Sequence, residues 1–541
     1  MESKRNKLLL ALVVGYFLFN LRIAYAQLNV SSMFSDNMVL QRNKEIPIWG
    51  TAKINEAITV KFIDQTKKAE ADSNGIWRVE FSPLSVNKTA NILEIQGEEE
   101  TIRFENILIG DVWLVSGQSN MHQKVRSIKK IPGDILNMSN NSLVRIYNIP
   151  DKTSSTPLKT IDTKWEISSE KTIEDFSAIG AIFGLKLQSE TNVPIGIINS
   201  SLGSTSVSCW LPGEVLEKEP FVKTYSYWTD LADNWDTGGY KQFLEKEIKK
   251  YKRKGNGEVP TKENILHITK SRTYPSGAYN AMLYPIFPFA IRGILWRQGE
   301  ANVPRGEQYQ TLLPRMISYW KSKFNDLSLP FIQIGLPSYG KLNDTRPKVA
   351  ELGNAQHVIA NKNKGIYYVP ILDLMDSPNN KARIHPKNKY LAGTRSTRFV
   401  MNYFYNSTPV NIIPTYEKIE IKGFKIIISF KNVGNGFFTG RLADLNGDKI
   451  EKTNEFVHNF KIADNSKQFV TAKAKIISKN QIEIWSDNIK KPVAVRYAWE
   501  NVVLKPNLYN SYNIPVSSFR TDDWKLLSTD YYKPKINLVK P

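Results

Sequence analysis

Cysteine is all but missing from this chain of 541 residues. Cys209 stands alone, so no intramolecular disulfide can brace the fold and packing must supply its stability. Histidine is nearly as scarce, with five residues, and there is no His-Glu-x-x-His. Scattered histidines and one cysteine leave no ligand set with recognisable metal spacing, so neither a metal nor another cofactor is expected. Long hydrophobic runs are confined to Leu8–Leu21. That run follows Lys4, Arg5 and Lys7 and precedes Ala24-Tyr25-Ala26, a small-x-small cleavage pattern, so residues 1–26 are predicted to be a secretory signal peptide. It contains Asn20, is followed by Arg22, and is short for a bilayer span; no further span is expected after Gln27. The expected location is outside the cytoplasm, periplasmic or extracellular. Acidic residues are also in deficit, 52 against 73 basic ones, for a formal charge of +21. The lysines are spread along the chain and not gathered in an arm, which together with export argues against nucleic acid. Such a field would concentrate anionic ligands, acidic sugars among them.

What is present divides the chain into three. Residues 27–105 alternate apolar and polar positions at Ile58–Phe62 and Trp77–Phe81, punctuated by Gly50, Asn74-Gly75 and Pro83, and predict a β-sandwich-like module. Residues 106–408 change character. Continuous apolar runs at 107–115, 193–198, 289–296, 329–335 and 366–372 read as strands buried on both faces. Between them, 308–325 places Tyr309, Leu312, Leu313, Met316 and Trp320 on one helix face, and 388–405 does so with Leu391, Phe399, Val400 and Tyr403. Strand alternating with helix predicts an α/β fold with a doubly wound parallel sheet and flanking helices. A Lys-, Tyr-, Trp- and Glu-rich stretch, 211–272, reads as a partly helical insertion. Alternation returns over 409–541, for example at Lys418–Ile421 and Val493–Tyr497, and predicts a second β module.

Chemistry concentrates where the strands end. Ser119, in Gly117-Gln118-Ser119-Asn120-Met121, leaves the first apolar run at the start of a helix, where free backbone N–H groups can hold negative charge developing on a substrate oxygen. Met121 stands where a nucleophile elbow has its closing glycine, so the α/β-hydrolase pattern is incomplete. A serine nucleophile needs a base. His458 falls in the distal β module, His267 in the insertion and His357 inside a helix; His122, three residues after Ser119, and His385, after the last parallel strand, remain. Pro386 suits the first position of the helix that follows His385. Two further strand exits carry Gly203, able to offer a bare N–H, and Gln298, a side-chain amide donor.

The blocks Gly117–Met121, Trp296–Asn302 and Ile384–Lys389, with Asp36–Arg42, Tyr279–Met282 and Phe519–Asp522, resemble the sialate O-acetylesterase family of SGNH-type serine esterases across nearly the whole mature chain. The resemblance implies an SGNH, flavodoxin-like catalytic domain with β modules, and metal-free hydrolysis of acetyl esters on sugars. It implies Ser119 as nucleophile, His385 as general base, and an oxyanion hole from the Ser119 N–H, the Gly203 N–H and the Gln298 amide. Glu300 and Asn302 would then lie behind the site or against the sugar, and Arg297, Arg383 or a lysine of the insertion would be placed to read a sialic acid carboxylate. Many relatives have an aspartate two residues before the histidine; here Arg383 occupies that place. Either a Ser-His dyad operates, the histidine ring being held by a backbone carbonyl, or Asp373 or Asp376 reaches over to orient it.

The expected partner is an O-acetylated glycan, foremost sialic acid, with acetylated xylan or another polysaccharide as the alternative. Two rivals belong to other classes. A glycosidase would pair Glu300, Asp373 and Asp376 but leaves Ser119 and His385 without a task. A non-catalytic carbohydrate-binding protein would be an esterase that has lost its chemistry, with Arg383 as the trace of that loss.

Overall fold

The computed structural model describes residues 27–128, 133–235, 267–342, 344, 346–375, 381–444 and 447–529, with six positions between 241 and 249. The expected signal peptide, Asp376 and most of 236–266 in the insertion lie outside the described residues.

Seven strands build the sheet that carries the site: β1 (Thr101–Gly117), β2 (Asn141–Asn148), β3 (Trp165–Ser168), β4 (Ile195–Ser201), β5 (Gly293–Arg297), β6 (Phe331–Ile334) and β7 (Ile366–Val369). They lie in the order β3-β2-β4-β1-β5-β6-β7. Only the edge strand β3 runs antiparallel to its neighbour. The five apolar runs all become parallel strands, and successive residues of each feed opposite cores. Trp113 and Val115 of β1 pack in one cluster with Phe183, Leu391 and Phe399, while Val112 and Leu114 pack in the other with Leu312, Met316 and Trp320. Helices α1 (Ala178–Thr191) and α4 (Tyr390–Val400) therefore cover one face of the sheet, and α2 (Gly306–Lys323) and α3 (Lys348–Lys362) the other. The mixed α/β architecture agrees with the sequence pattern. Helix α2 buries Tyr309, Leu312, Leu313, Met316 and Trp320, the face that the 3.6-residue period marks. Helix α4 starts four residues later than Pro386 suggests, at Tyr390, because the Asn388 side chain takes the N–H of Leu391 and opens the helix there.

Of the N-terminal strands, Asn29–Val30, Ile46–Thr51 and Ile76–Phe81 form a three-stranded antiparallel sheet of their own, whereas the others extend the central sheet. Asn87–Gln96 pairs along the first half of β1, Ala57–Phe62 pairs with Asn87–Gln96, and Val39–Gln41 adds a short parallel pairing at Leu108–Gly110. The same strand then continues into the central sheet. Asp111, buried at this crossing, accepts two bonds from Arg42, one from Gln41 and one from Tyr405, tying three distant segments together.

Beyond 409, Thr415–Lys422, Lys425–Lys431, Gln481–Trp485 and Lys473–Ser478 form one antiparallel sheet over a core of Ile426, Ile428, Ile482 and Ile484, which Leu372 joins from just past β7. The last described segment returns to α3, where the Glu351 carboxylate accepts the N–H groups of Leu527 and Ser528.

The chain leaves β1 toward β2 and β4 on one side and later takes up β5, β6 and β7 on the other. That reversal opens a crevice at the carboxyl ends of β4, β1 and β5, and the residues following these three strands share it.

Candidate active site

The turn out of β1 admits only glycine at position 117. Its φ is +136°, and a Cβ there would lie 2.2 Å from the Arg297 carbonyl oxygen. The next residue is locked too. The Gln118 N–H donates to that carbonyl at 3.0 Å, and the Gln118 side-chain oxygen accepts the N–H groups of Gly299 and Ala301. Ser119 then opens a single helical turn, Ser119–His122. Its Oγ lies 2.8 Å from His385 Nε2, across 266 positions of sequence. Serine and imidazole are thus in hydrogen-bond contact, the arrangement a base needs to take the hydroxyl proton.

Gly203, just after β4, closes the other side. A Cβ built on it would lie 3.9 Å from the Ser119 Cβ. Among the described residues, neither the Ser119 nor the Gly203 backbone N–H has an acceptor within the protein. Two backbone N–H groups without a protein acceptor therefore lie close to the Ser119 hydroxyl, an arrangement able to hold a developing oxyanion.

Asn120 joins the two halves of the site. Its Nδ2 donates to the Ile384 carbonyl at 2.9 Å and to Glu300 Oε1 at 2.6 Å, while its Oδ1 accepts from Lys389 Nζ at 2.5 Å. Glu300 also takes Arg297 Nη2 at 2.7 Å. Burial pushes the Lys389 ammonium down to about 7, with the Arg297 charge adding to the effect and Glu300 opposing it. His385 is likewise held below its ordinary value, chiefly by burial and then by the Lys389 charge.

Several sequence expectations need correction. Gln298 is wholly buried, and both N–H bonds of its amide are donated internally, to the Thr205 carbonyl and to Asn302 Oδ1, so this amide is not offered to a substrate oxygen. Asn302 is buried too, its Oδ1 also accepting the Val207 N–H. Arg297 is 1% exposed and paired with Glu300, so it cannot read a carboxylate in solution. Glu300, 7% exposed, and Asn302, fully buried, therefore support the crevice from behind. Asp373 does not orient His385: both its oxygens are taken by Arg395 at 2.6 Å, with Tyr509 adding a third bond. No described acidic side chain hydrogen-bonds the His385 ring. His122 is engaged elsewhere, Nδ1 at 3.0 Å from the Ser201 carbonyl and Nε2 at 3.5 Å from Asp151.

With this geometry in view, the relatives are informative. No family model matches the chain. The sialate O-acetylesterase of Homo sapiens is 23% identical over 529 residues, 91% of this chain and 91% of that protein. Its counterpart in Mus musculus is 24% identical over 407 residues, 68% of this chain and 71% of its own. A crystal structure of a carbohydrate acetylesterase from Xanthomonas citri is 25% identical, covers 92% of this chain and 100% of its own, and superposes with a TM-score of 0.75. The chain is similar to the sialate O-acetylesterases along almost its whole length. The resemblance carried by the three sequence blocks therefore holds.

Set beside the sialate O-acetylesterases, the surroundings of the dyad take on meaning. A cavity of about 460 Å³ lies against the His385 loop, lined by Gln123, Ser127, Ile128 and residues 383–387 with Lys389. Arg383 and Lys387 are exposed on its wall, and no carboxylate appears among its described lining residues. In the insertion, Trp228, Trp235 and Ile268 form a small core of their own with Leu231 and Tyr274, so these tryptophans are packed and not open to sugars. Among the described residues no group of three or more His, Cys, Asp or Glu side chains is gathered to hold a metal ion, and no helix is long and apolar enough to cross a membrane. Asn120 and Lys389 carry no signal of their own in the sequence; both lie inside blocks already singled out, beside Ser119 and His385.

Proposed function

We propose that this protein is an exported serine esterase that removes O-acetyl groups from sugars, acting on acidic sugars of the sialic acid type. The observation that carries the reading is the 2.8 Å contact between Ser119 Oγ and His385 Nε2 in the crevice of a chain similar over more than nine-tenths of its length to sugar O-acetylesterases. The catalytic region is of the SGNH, flavodoxin-like type and spans 106–408, with β modules over 27–105 and 409–541 and a cleaved leader over 1–26.

Ser119 attacks the acetyl carbonyl while His385 takes its proton. The N–H groups of Ser119 and Gly203 hold the oxyanion of the tetrahedral intermediate. His385 then gives the proton to the departing sugar oxygen, leaving an acetyl-serine. Water, deprotonated by the same imidazole, attacks that ester; acetate leaves and Ser119 recovers its proton. No carboxylate need touch the ring, because the His385 loop is fixed through its backbone at Ile384.

The exposed Arg383 and Lys387 beside the histidine, with the strong positive charge of the whole chain, favour an anionic sugar over neutral acetylated xylan. The direct test is Ser119→Ala, which should abolish hydrolysis of p-nitrophenyl acetate and of O-acetylated sialic acid without altering the melting temperature. Full activity in that variant would remove Ser119 from the reaction.

A further inference from the structure

Gly203 borders a slot. The position a Cβ would take there is 3.9 Å from the Ser119 Cβ and 3.9 Å from Arg272 Nη1, so the missing side chain leaves an open space with the nucleophile on one side and a guanidinium on the other. Arg272 is held in that place by Asp151, whose Oδ2 lies 3.3 Å from Nη2, and 38% of the arginine side chain stays exposed. Asp151 is itself steadied at 3.5 Å from His122 Nε2, and His122 is anchored to the Ser201 carbonyl. One end of the guanidinium is thus fixed on protein, and the Nη1 end faces the slot.

We propose that Arg272 is a substrate-contacting specificity residue, whose free N–H edge binds the carboxylate of an acidic sugar while the acetyl group sits at Ser119. This rests on the esterase reading and names the part of the substrate that the site recognises. The oxyanion has the N–H groups of Ser119 and Gly203; what remains for a cation across the slot is a charge elsewhere on the substrate. A planar fork suits a carboxylate, and an arginine pre-set by a partner loses little freedom on binding. Arg297, one of the cations the sequence offers for this task, is sealed behind the site. Arg272 is open.

The experiment compares three esters on the intact protein: p-nitrophenyl acetate, 9-O-acetylated sialic acid, and the methyl ester of that sugar, which lacks the negative charge. The unmodified protein should prefer the free acid over its methyl ester by about 10- to 100-fold in kcat/KM, mostly through KM. Arg272→Gln should erase that preference and leave p-nitrophenyl acetate turnover within about twofold, and Arg272→Lys should restore part of it. Equal rates on free acid and methyl ester in the unmodified protein, which needs no variant to fold, overturn the assignment. So does an equal fall on all three esters in Arg272→Gln. Absence of turnover on every ester in the unmodified protein would instead sink the esterase reading itself.

Discussion

Asn120 Nδ2 donates to the Ile384 carbonyl at 2.9 Å, so the residue after Ser119 grips the residue before His385. The amide cannot turn over. The Ile384 carbonyl can only accept, which fixes Nδ2 toward it and Glu300 and leaves Oδ1 to accept from Lys389. Asn120→Asp would set a carboxylate oxygen against Glu300 and the Ile384 carbonyl and push the two loops apart. A displacement near 1 Å costs roughly 100-fold in rate. The expected result is a fall of that order in kcat with KM little changed, measured on p-nitrophenyl acetate; an unaltered kcat would remove Asn120 from the positioning of the dyad.

Gly203→Ala tests the slot in a different way. The added methyl would meet its neighbours at 3.9 Å, an ordinary contact, so the melting temperature should stay where it is. Yet the methyl would stand 3.9 Å from the Ser119 Cβ, in the slot where the proposed reaction places the acyl group. Turnover of sugar esters is expected to drop by at least about tenfold, since small misplacement of a reacting ester is costly. Normal turnover would mean that substrate approaches from elsewhere.

The pH profile follows from the charges around the imidazole. His385 works as a base only when neutral, and burial with the Lys389 and Arg297 charges lowers its pKa while Glu300 raises it. The acid limb of kcat/KM should therefore fall below pH 6.5, the ordinary histidine value. Lys389→Met removes one of the lowering charges and should move that limb upward, toward 6.5. A limb that stays in place, or moves down, would contradict this account of the site.

His357 makes a separate prediction, about stability. It is buried in α3 against Tyr368, its Nδ1 has no hydrogen-bond partner, and burial holds its pKa down to about 4. Below about pH 6.5 the unfolded chain takes up a proton that the folded one refuses, so folding weakens as pH falls from there toward 4, by roughly 3 kcal/mol in full. His357→Leu should flatten that part of the curve of melting temperature against pH. An unchanged slope between pH 6.5 and 4 would assign the acid sensitivity to other groups.

The residues most visible in the sequence were those whose neighbours in the chain also serve them. Runs such as Ile107–Val115 are apolar on both faces because helices cover both, and that alone places the parallel strands. The strand Asn141–Asn148 escaped notice because Arg145, though buried, and its flanking asparagines interrupt the apolar pattern. At the site, the approach of Ser119 to His385 was legible because strand exits converge in a doubly wound sheet. Partners set by folding were not. Asp373, at a strand exit, looks available in one dimension, but Arg395 from within α4 takes both its oxygens. Gln298 looks like a free donor until Thr205 and Asn302 arrive to occupy it.

Thr101–Gly117 belongs to two sheets at once, pairing with Asn87–Gln96 along its first half and with β4 and β5 along its second. A fragment pared down to the part that holds the serine and the histidine would keep this strand but lose its early neighbours, baring a row of unsatisfied amides and carbonyls. Such an edge invites pairing with another molecule. The first eighty or so described residues thus act as a sheath, and a shortened enzyme would be prone to clump.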